Sequence, residues 1–308
     1  MENWECRWKQ TRDWPTLVSE RAQFGGSEKM ETPDPLLERV APVLAAVPDA
    51  VAIVLGGSRA RGAARSASDY DLGLYFSESV GLDVGRLLAA VKGLVDDPGD
   101  AALTEVGGWG PWIVGGGWSR IAGQKVDLLY RPIESVERVI RDCRNGHIAM
   151  EYQPGHPHGF CSAIWMGEIA LCRPLSDPQG AIAALKAMTV PYPEKLREAL
   201  IRRFQGEILF SIENAQTAVP GGDQTYIAGC AFRSLACAAQ VLFALNRRYL
   251  INEKGAVAAA AQLPLILDNL VERASSVWRD IGLCAFDAAL VELRSIEHEL
   301  ARLTEATR

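Results

Sequence analysis

Hydrophobic and polar positions in the first half of the chain change period several times. Residues 35–47 (PLLERVAPVLAAV) have the apolar spacing of a helix, whereas residues 51–55 (VAIVL) form a short apolar run that is typical of a buried strand. The same patterns recur up to residue 143. The predicted strands are 51–55, 71–76 and 125–130, and the predicted helices are 35–47, 82–95 and 133–143. A Gly/Trp-rich hairpin is predicted at 104–118. Strands that alternate with helices around one small sheet predict an α/β or α+β arrangement.

The second half of the chain is predicted to be almost entirely helical after the turn-rich segment EYQPGHPHGF. The predicted helices there are 178–188, 193–218, 224–250, 256–272 and 284–305. The change in pattern favours the α+β class, with a boundary near residue 150. We therefore divide the chain into an N-terminal extension (1–32), a mixed domain (33–150) and an all-α helical domain (151–308).

Net charge, cysteine spacing and the length of apolar runs disfavour several classes of protein. The formal net charge of −6 disfavours a protein that grips long nucleic acid through many phosphates. Seven cysteines without a CxxC pair indicate small core hydrophobes in a reducing compartment. The N-terminus lacks an apolar signal segment, and no uncharged apolar run reaches the ~18 residues that span a bilayer. We expect a cytoplasmic protein without a membrane partner.

The first chemical motif is the bend GGSRARG that follows the strand at 51–55. Gly56 and Gly57 allow the backbone to approach a ligand closely, and Ser58 lies where a helix or tight turn begins, with free N–H groups. Three arginines follow within this acidic chain, at positions 59, 61 and 65. This combination predicts a cradle for phosphate oxygens.

The second motif is a set of carboxylates near the cradle. Asp69 and Asp71 are two residues apart at the start of a predicted strand, so they should project from the same face. Asp127 interrupts the apolar strand KVDLLY. It is either a sheet-edge residue paired with Lys125 or Arg120, or a third member of the same site. Carboxylates crowded on one face repel each other unless a divalent cation lies between them.

The order of strand, Gly-Ser, Asp-x-Asp and a later Asp over residues 50–130 resembles the DNA polymerase β-type nucleotidyltransferase superfamily. The resemblance implies that Gly57 and Ser58 hold a nucleoside triphosphate tail, with Arg61 nearby. It also implies that Asp69 and Asp71 bind two Mg²⁺ ions and that Asp127 shares one of them. The helical half resembles the C-terminal bundles of the small-molecule branch, the kanamycin and lincosamide nucleotidyltransferases. Lys254, in a stretch similar to members of this group, is either a phosphate contact or a solvated lysine at a helix end.

The predicted function is Mg²⁺-dependent transfer of NMP from an NTP, expected to be ATP, to a hydroxyl of a small molecule such as an aminoglycoside, with release of pyrophosphate. Asp127 is the first candidate to assist deprotonation, and Glu168 or Glu207 are alternatives. Three other functions stay open: transfer to a tRNA or protein acceptor, nucleotide binding without turnover, and a helical interaction module with a vestigial N-terminal domain. Trp109, Trp112 and Trp118 could stack a base or a substrate ring, although core or hairpin packing is the more frequent role.

Overall fold

The computed structural model describes residues 34–62, 64 and 68–307, so the extension predicted at 1–32 lies outside the described residues. The strands in the described part are β1 (Ala50–Leu55), β2 (Tyr70–Phe76), β3 (Gly116–Ile121), β4 (Gln124–Pro132), β5 (Met150–Glu151), β6 (Phe160–Cys161) and β7 (Arg173–Ser176). The helices are α1 (Pro35–Ala45), α2 (Gly57–Ala60), α3 (Val84–Lys92), α4 (Ile133–Arg144), α5 (Ala163–Leu171), α6 (Ala181–Thr189), α7 (Glu194–Ala218), α8 (Gln224–Leu245), α9 (Ala256–Ala260), α10 (Leu270–Gly282) and α11 (Phe286–Ala306).

Five of these strands form a mixed sheet in the order β3-β4-β2-β1-β7. The central pair β2–β4 is parallel, and the pairs β1–β2, β1–β7 and β3–β4 are antiparallel. The two short strands β5 and β6 pair separately. The α+β class is therefore confirmed: a small mixed sheet with flanking helices is followed by a largely helical region.

The alternation of side chains along β1 explains how the sheet is covered on both faces. Ile53 and Leu55 point into one core, which they share with buried residues of α1 and α3. Ala52 and Val54 point the other way, into a second core built largely from helices α4 to α11. From Ala52 to Leu55 both faces of β1 are thus buried, and residues from Pro35 onward form one compact unit.

The helical region is organised around the long helices α7 and α8, with α11 packed against both. By length and composition α8 could cross a membrane, but 72% of its most apolar window is buried inside the protein, as in the core helix of a globular domain. The cytoplasmic location stays a prediction.

Three features differ from the sequence-based prediction. The helix predicted at 256–272 is wrong: α9 ends at Ala260 and α10 begins only at Leu270, because Pro264 cannot continue a helix. Of the hairpin predicted at 104–118, only the part from Gly116 is a strand. β7 was predicted nowhere; it is short, and its Pro174 is tolerated because the strand lies at the sheet edge. β7 (Arg173–Ser176) follows residue 150 in the chain but belongs to the sheet of the predicted mixed domain. The domain division at residue 150 stays a prediction.

Candidate active site

The bend after β1 brings the backbone directly against a carboxylate. Gly57 has φ +61°, and a Cβ built on it would lie 1.7 Å from Oδ2 of Asp71. The backbone N–H of Gly56 donates to the carbonyl oxygen of Asp71 at 2.7 Å. Glycine is required at position 57 for two reasons: its backbone is left-handed, and a side chain would overlap the Asp71 carboxylate.

The acidic residues meet because of strand register. Asp71 on β2 pairs with Asp127 on β4, so both side chains lie on one face of the sheet. Asp69 precedes Asp71 by two residues. A cavity of about 600 Å³ opens over this face. The seven residues predicted to form the site all line it: Gly57, Ser58, Arg61, Asp69, Asp71, Asp127 and Lys254.

The three arginines of the bend have different surroundings. The guanidinium of Arg59 donates to the carbonyl of Ser68 at 3.1 and 2.7 Å and stacks 3.7 Å from the Tyr70 ring centroid, so it fixes the segment that leads into β2. Arg61 lines the cavity instead and donates to the Gly57 carbonyl at 3.1 Å. Arg65 lies outside the described residues.

The carboxylates of the cavity raise one another's pKa values. Burial, followed by the charges of Asp69 and Glu168, raises the pKa of Asp71, although Arg61 and Lys254 oppose the rise. Burial, together with Asp71 and Asp69, raises the pKa of Asp127 to about 6. The ionised forms of Asp71 and Asp127 are therefore destabilised, and a bound cation would relieve the repulsion.

The donor set fits Mg²⁺ held jointly with a phosphate-bearing substrate. Within the described ranges, no three His, Cys, Asp or Glu side chains are grouped closely enough to hold a metal by themselves. Mg²⁺, however, is usually bound through one or two carboxylates plus substrate phosphates rather than by an all-protein cage. Asp69, Asp71 and Asp127 supply hard oxygen ligands beside the phosphate cradle, which is the composition such a shared site requires.

A buried ion pair forms another part of the cavity wall. Arg131 lies four residues after Asp127 on β4 and therefore shares its face. Its Nε and Nη2 donate to the two oxygens of Glu168 on α5, each at 2.8 Å. The Arg131 side chain is only 3% exposed. Both Glu168 oxygens are thus engaged, which makes Glu168 a poor proton acceptor.

The second alternative base is placed elsewhere. Glu207 lies outside the cavity and pairs with Arg203 at 2.8 Å and with Arg233. The expectation that Glu207 serves as the base is therefore wrong. Of the three candidate bases named from the sequence, Asp127 is the one that faces the cavity without a guanidinium partner among the described contacts.

Lys254 reaches the cavity from a loop of the helical region, between α8 and α9. The neighbouring Glu253 is buried and accepts a hydrogen bond from Nδ1 of His156 at 3.0 Å. The Oδ1 atom of Asn252 accepts from the Lys254 backbone N–H at 2.8 Å. Burial raises the pKa of Glu253, but the hydrogen bond from His156, a backbone hydrogen bond and the charges of His156 and His158 together outweigh burial and leave that pKa below its usual value. The hydrogen bonds from His156 and from the Lys254 N–H hold the loop in the position in which Lys254 lines the cavity.

Sequence reasoning did not find Arg131 or His156. Arg131 carried a usable signal, because it continues the two-residue period of Asp127 along KVDLLYR on the cavity face. His156 carried none, since its partner Glu253 is 97 residues away.

Residues 43–148 match the family model described as "Nucleotidyltransferase domain". This part of the chain is similar to a nucleotidyltransferase domain. The match spans the bend, all three aspartates and the strands that carry them, and it supports the predicted superfamily and a general nucleotidyl-transfer activity. The small-molecule branch stays a prediction.

The chain was also compared with curated proteins and with solved structures. No curated protein matches the chain significantly. The solved structure of a nucleotidyltransferase-like protein from Exiguobacterium sibiricum 255-15 is similar with a TM-score of 0.38 and 11% identity, over 86% of this chain and 74% of that one.

Proposed function

We propose that the protein transfers NMP from an NTP, expected to be ATP, to a hydroxyl of a small-molecule acceptor and releases pyrophosphate, in a Mg²⁺-dependent reaction of the EC 2.7.7 type. The observation that carries the proposal is the single cavity in which the glycine–serine bend, the three aspartates and two cationic side chains converge. Its volume of about 600 Å³ is within the usual range for small-molecule sites and favours a small acceptor.

Each element of the cavity has a role in the proposed reaction. The backbone at Gly57 and Ser58 binds the triphosphate tail, and Arg61 and Lys254 neutralise its charge. Asp69, Asp71 and Asp127 hold Mg²⁺. The bound ion supplies neutralisation of phosphate charge and a lower pKa for the acceptor hydroxyl.

Asp127 is the residue proposed to accept the proton of the acceptor hydroxyl. Asp127 is in register with Asp71, lines the cavity and has no guanidinium partner among the described contacts, so a carboxylate oxygen is available to accept this proton. The hydroxyl attacks in line, opposite the departing pyrophosphate, so the rest of the catalysis is positioning and electrostatics.

The test is pyrophosphate release with each of the four NTPs and Mg²⁺ against a metabolite pool, with products read by mass shift. Asp69→Asn and Asp71→Asn should each abolish release and should leave the circular dichroism spectrum unchanged. Asp268→Asn, which alters an exposed carboxylate outside the cavity, should retain native activity. Full activity of both cavity variants would refute the metal site, and NTP binding without release under any condition would favour a silent nucleotide-binding protein.

A further inference from the structure

Two tryptophans form a stacked pair on the rim of the sheet. The rings of Trp109 and Trp118 lie 4.5 Å apart between centroids with an interplanar angle of 21°. Trp118 is nevertheless 65% exposed, so a large part of its indole surface is open to solvent. A flat aromatic surface backed by a second ring is suited to stack one more planar ring.

Strand register places this pair beside the carboxylates. Trp118 on β3 pairs directly with Asp127 on β4, which in turn pairs with Asp71 on β2. Directly opposed residues project from the same face, and adjacent strands lie about 5 Å apart. The exposed tryptophan is therefore the next position along the row of acidic residues, on the edge strand and on the cavity side of the sheet.

The pair is held in place by buried contacts. Trp109 covers Gly116, where a Cβ would come within 3.1 Å of its ring. Gln153, only 1% exposed, donates from Nε2 to the Trp109 carbonyl at 2.7 Å. Its Oε1 accepts from the backbone N–H groups of Trp112 and Ile113 at 3.2 and 3.3 Å. Since Ile113 lines the cavity, one buried glutamine fixes both the tryptophan pair and part of the cavity wall.

The charges around the pair narrow the chemistry of its ligand. Arg120 on β3 pairs with Lys125 on β4, two residues from Trp118 and Asp127 on the same face, and both side chains are exposed. Asp127, directly opposite Trp118, is assigned to Mg²⁺ in the proposed function. With that carboxylate neutralised, the two cations next to the platform oppose a polycationic acceptor such as an aminoglycoside and favour a ring that is neutral or carries an anionic group.

The attacking hydroxyl and the departing pyrophosphate must lie on opposite sides of the α-phosphorus, and this geometry decides which reactant reaches the platform. With the triphosphate tail at Gly57 and Ser58, on the β1 side of Asp71, the attacking hydroxyl must approach from the opposite side of the α-phosphorus. That side is occupied by Asp127 and, one strand further, by Trp118.

We propose that Trp118, backed by Trp109, is the stacking platform for a planar heteroaromatic ring of the acceptor, and that the acceptor is of the nucleotide class, with its anionic group facing Arg120 and Lys125. This inference rests on the proposed function. It replaces a polycationic acceptor with a ring-bearing, anionic one.

The experiment is calorimetry on the full chain saturated with Mg²⁺ and the non-cleavable donor α,β-methylene-ATP. Adenosine monophosphate is the ring-bearing probe, and ribose 5-phosphate is the matched probe without a ring. Native protein should bind adenosine monophosphate about 5- to 150-fold more tightly than ribose 5-phosphate, the range for one base stacked on one aromatic side chain. Trp118→Ala should reduce its affinity to that of ribose 5-phosphate, and Trp118→Phe should retain most of it.

Trp278→Ala is the matched control, because Trp278 is also an exposed tryptophan, at 40%, but lies on α10 rather than on the sheet that carries the aspartates. It should bind both probes like the native protein. Equal affinity of native protein for the two probes, or native affinity in Trp118→Ala, would overturn the proposal. If Trp118→Ala instead weakens α,β-methylene-ATP relative to inorganic triphosphate, the ring on the platform is that of the donor and the acceptor assignment is wrong.

The same titrations separate this inference from the proposed function. Absence of Mg²⁺-dependent binding of α,β-methylene-ATP would contradict the proposed function. The two acceptor probes are then titrated into the unloaded protein, where the same comparison of native protein with Trp118→Ala decides on the platform.

Discussion

The contact between Gly57 and Asp71 allows a substitution whose effect can be worked out from the structure. In Gly57→Ala the new Cβ would lie 1.7 Å from Asp71 Oδ2. Because a Cβ essentially never comes within 3.0 Å of a heavy atom to which it is not bonded, the oxygen would have to move by about 1.3 Å. A displacement of ~1 Å in a catalytic constellation can cost about 100-fold in rate. The left-handed backbone adds about 1–2 kcal/mol of destabilisation for any non-glycine residue.

Gly62→Ala separates these two effects. Gly62 has φ +67°, close to that of Gly57, but a Cβ there would meet nothing within 4 Å. Both variants should lose about 1–2 kcal/mol in urea unfolding. We expect only Gly57→Ala to lose about 100-fold in pyrophosphate release at saturating Mg²⁺ and NTP. Equal activity of the two variants would refute the inferred dependence on the position of the Asp71 carboxylate.

Three further predictions concern the walls of the cavity. In metal-free protein the pKa of Asp127 is raised, so between pH 3.8 and about 6 the folded state keeps the proton that the unfolded state releases. The free energy of unfolding should therefore fall as pH rises through this window. Asp127→Asn should remove this fall and gain about 1–2 kcal/mol at pH 8, a value reduced for solvent screening. Glu168→Gln should cost about 2–3 kcal/mol in urea unfolding, because it leaves the buried Arg131 guanidinium without its counter-charge. Glu253→Ala, which removes the acceptor of the His156 bond, should raise the KM for NTP several-fold with little change in kcat, because that bond positions the loop that carries the adjacent lysine.

Each of these predictions has a contradicting outcome. A pH profile of unfolding in EDTA that is the same for Asp127→Asn and native protein would refute the raised pKa. Glu137→Gln removes the partner of Arg141 in an exposed pair and should cost less than about 0.5 kcal/mol; an equal cost for Glu168→Gln would show that the buried pair has no special weight. For Glu253→Ala, a fall in kcat at unchanged KM would contradict a role in positioning the loop.

The parts of the site that could be predicted from the sequence are those fixed by local spacing. Gly57 and Ser58 follow directly on a buried strand, and the separation of Asp69 from Asp71 dictates a shared face. Asp127 was recognisable because a charge within an otherwise apolar strand needs a reason. Asp71 and Asp127 fall on strands of the sheet, where a period of two determines the direction of each side chain, and Gly57 and Ser58 open the short helix directly after β1.

The rest depends on contacts between distant parts of the chain. The bond between His156 and Glu253 joins two loops, and β7 takes its place in the sheet only because the edge of β1 is free to pair. The position of Trp118 beside Asp127 follows from the β3–β4 register, which the Gly/Trp-rich sequence did not specify. Such pairings are set by the packing of the whole unit rather than by local periodicity.

The most direct test of nucleotidyl transfer is the fate of two labels in the donor. Native protein is incubated with Mg²⁺, the metabolite pool and ATP labelled either at the α-phosphorus or at the γ-phosphorus. We predict that the α label appears on the product and the γ label in pyrophosphate, and that Asp71→Asn yields neither. A γ label on the product, or α label on the product in Asp71→Asn at the native rate, would contradict transfer at the aspartate site.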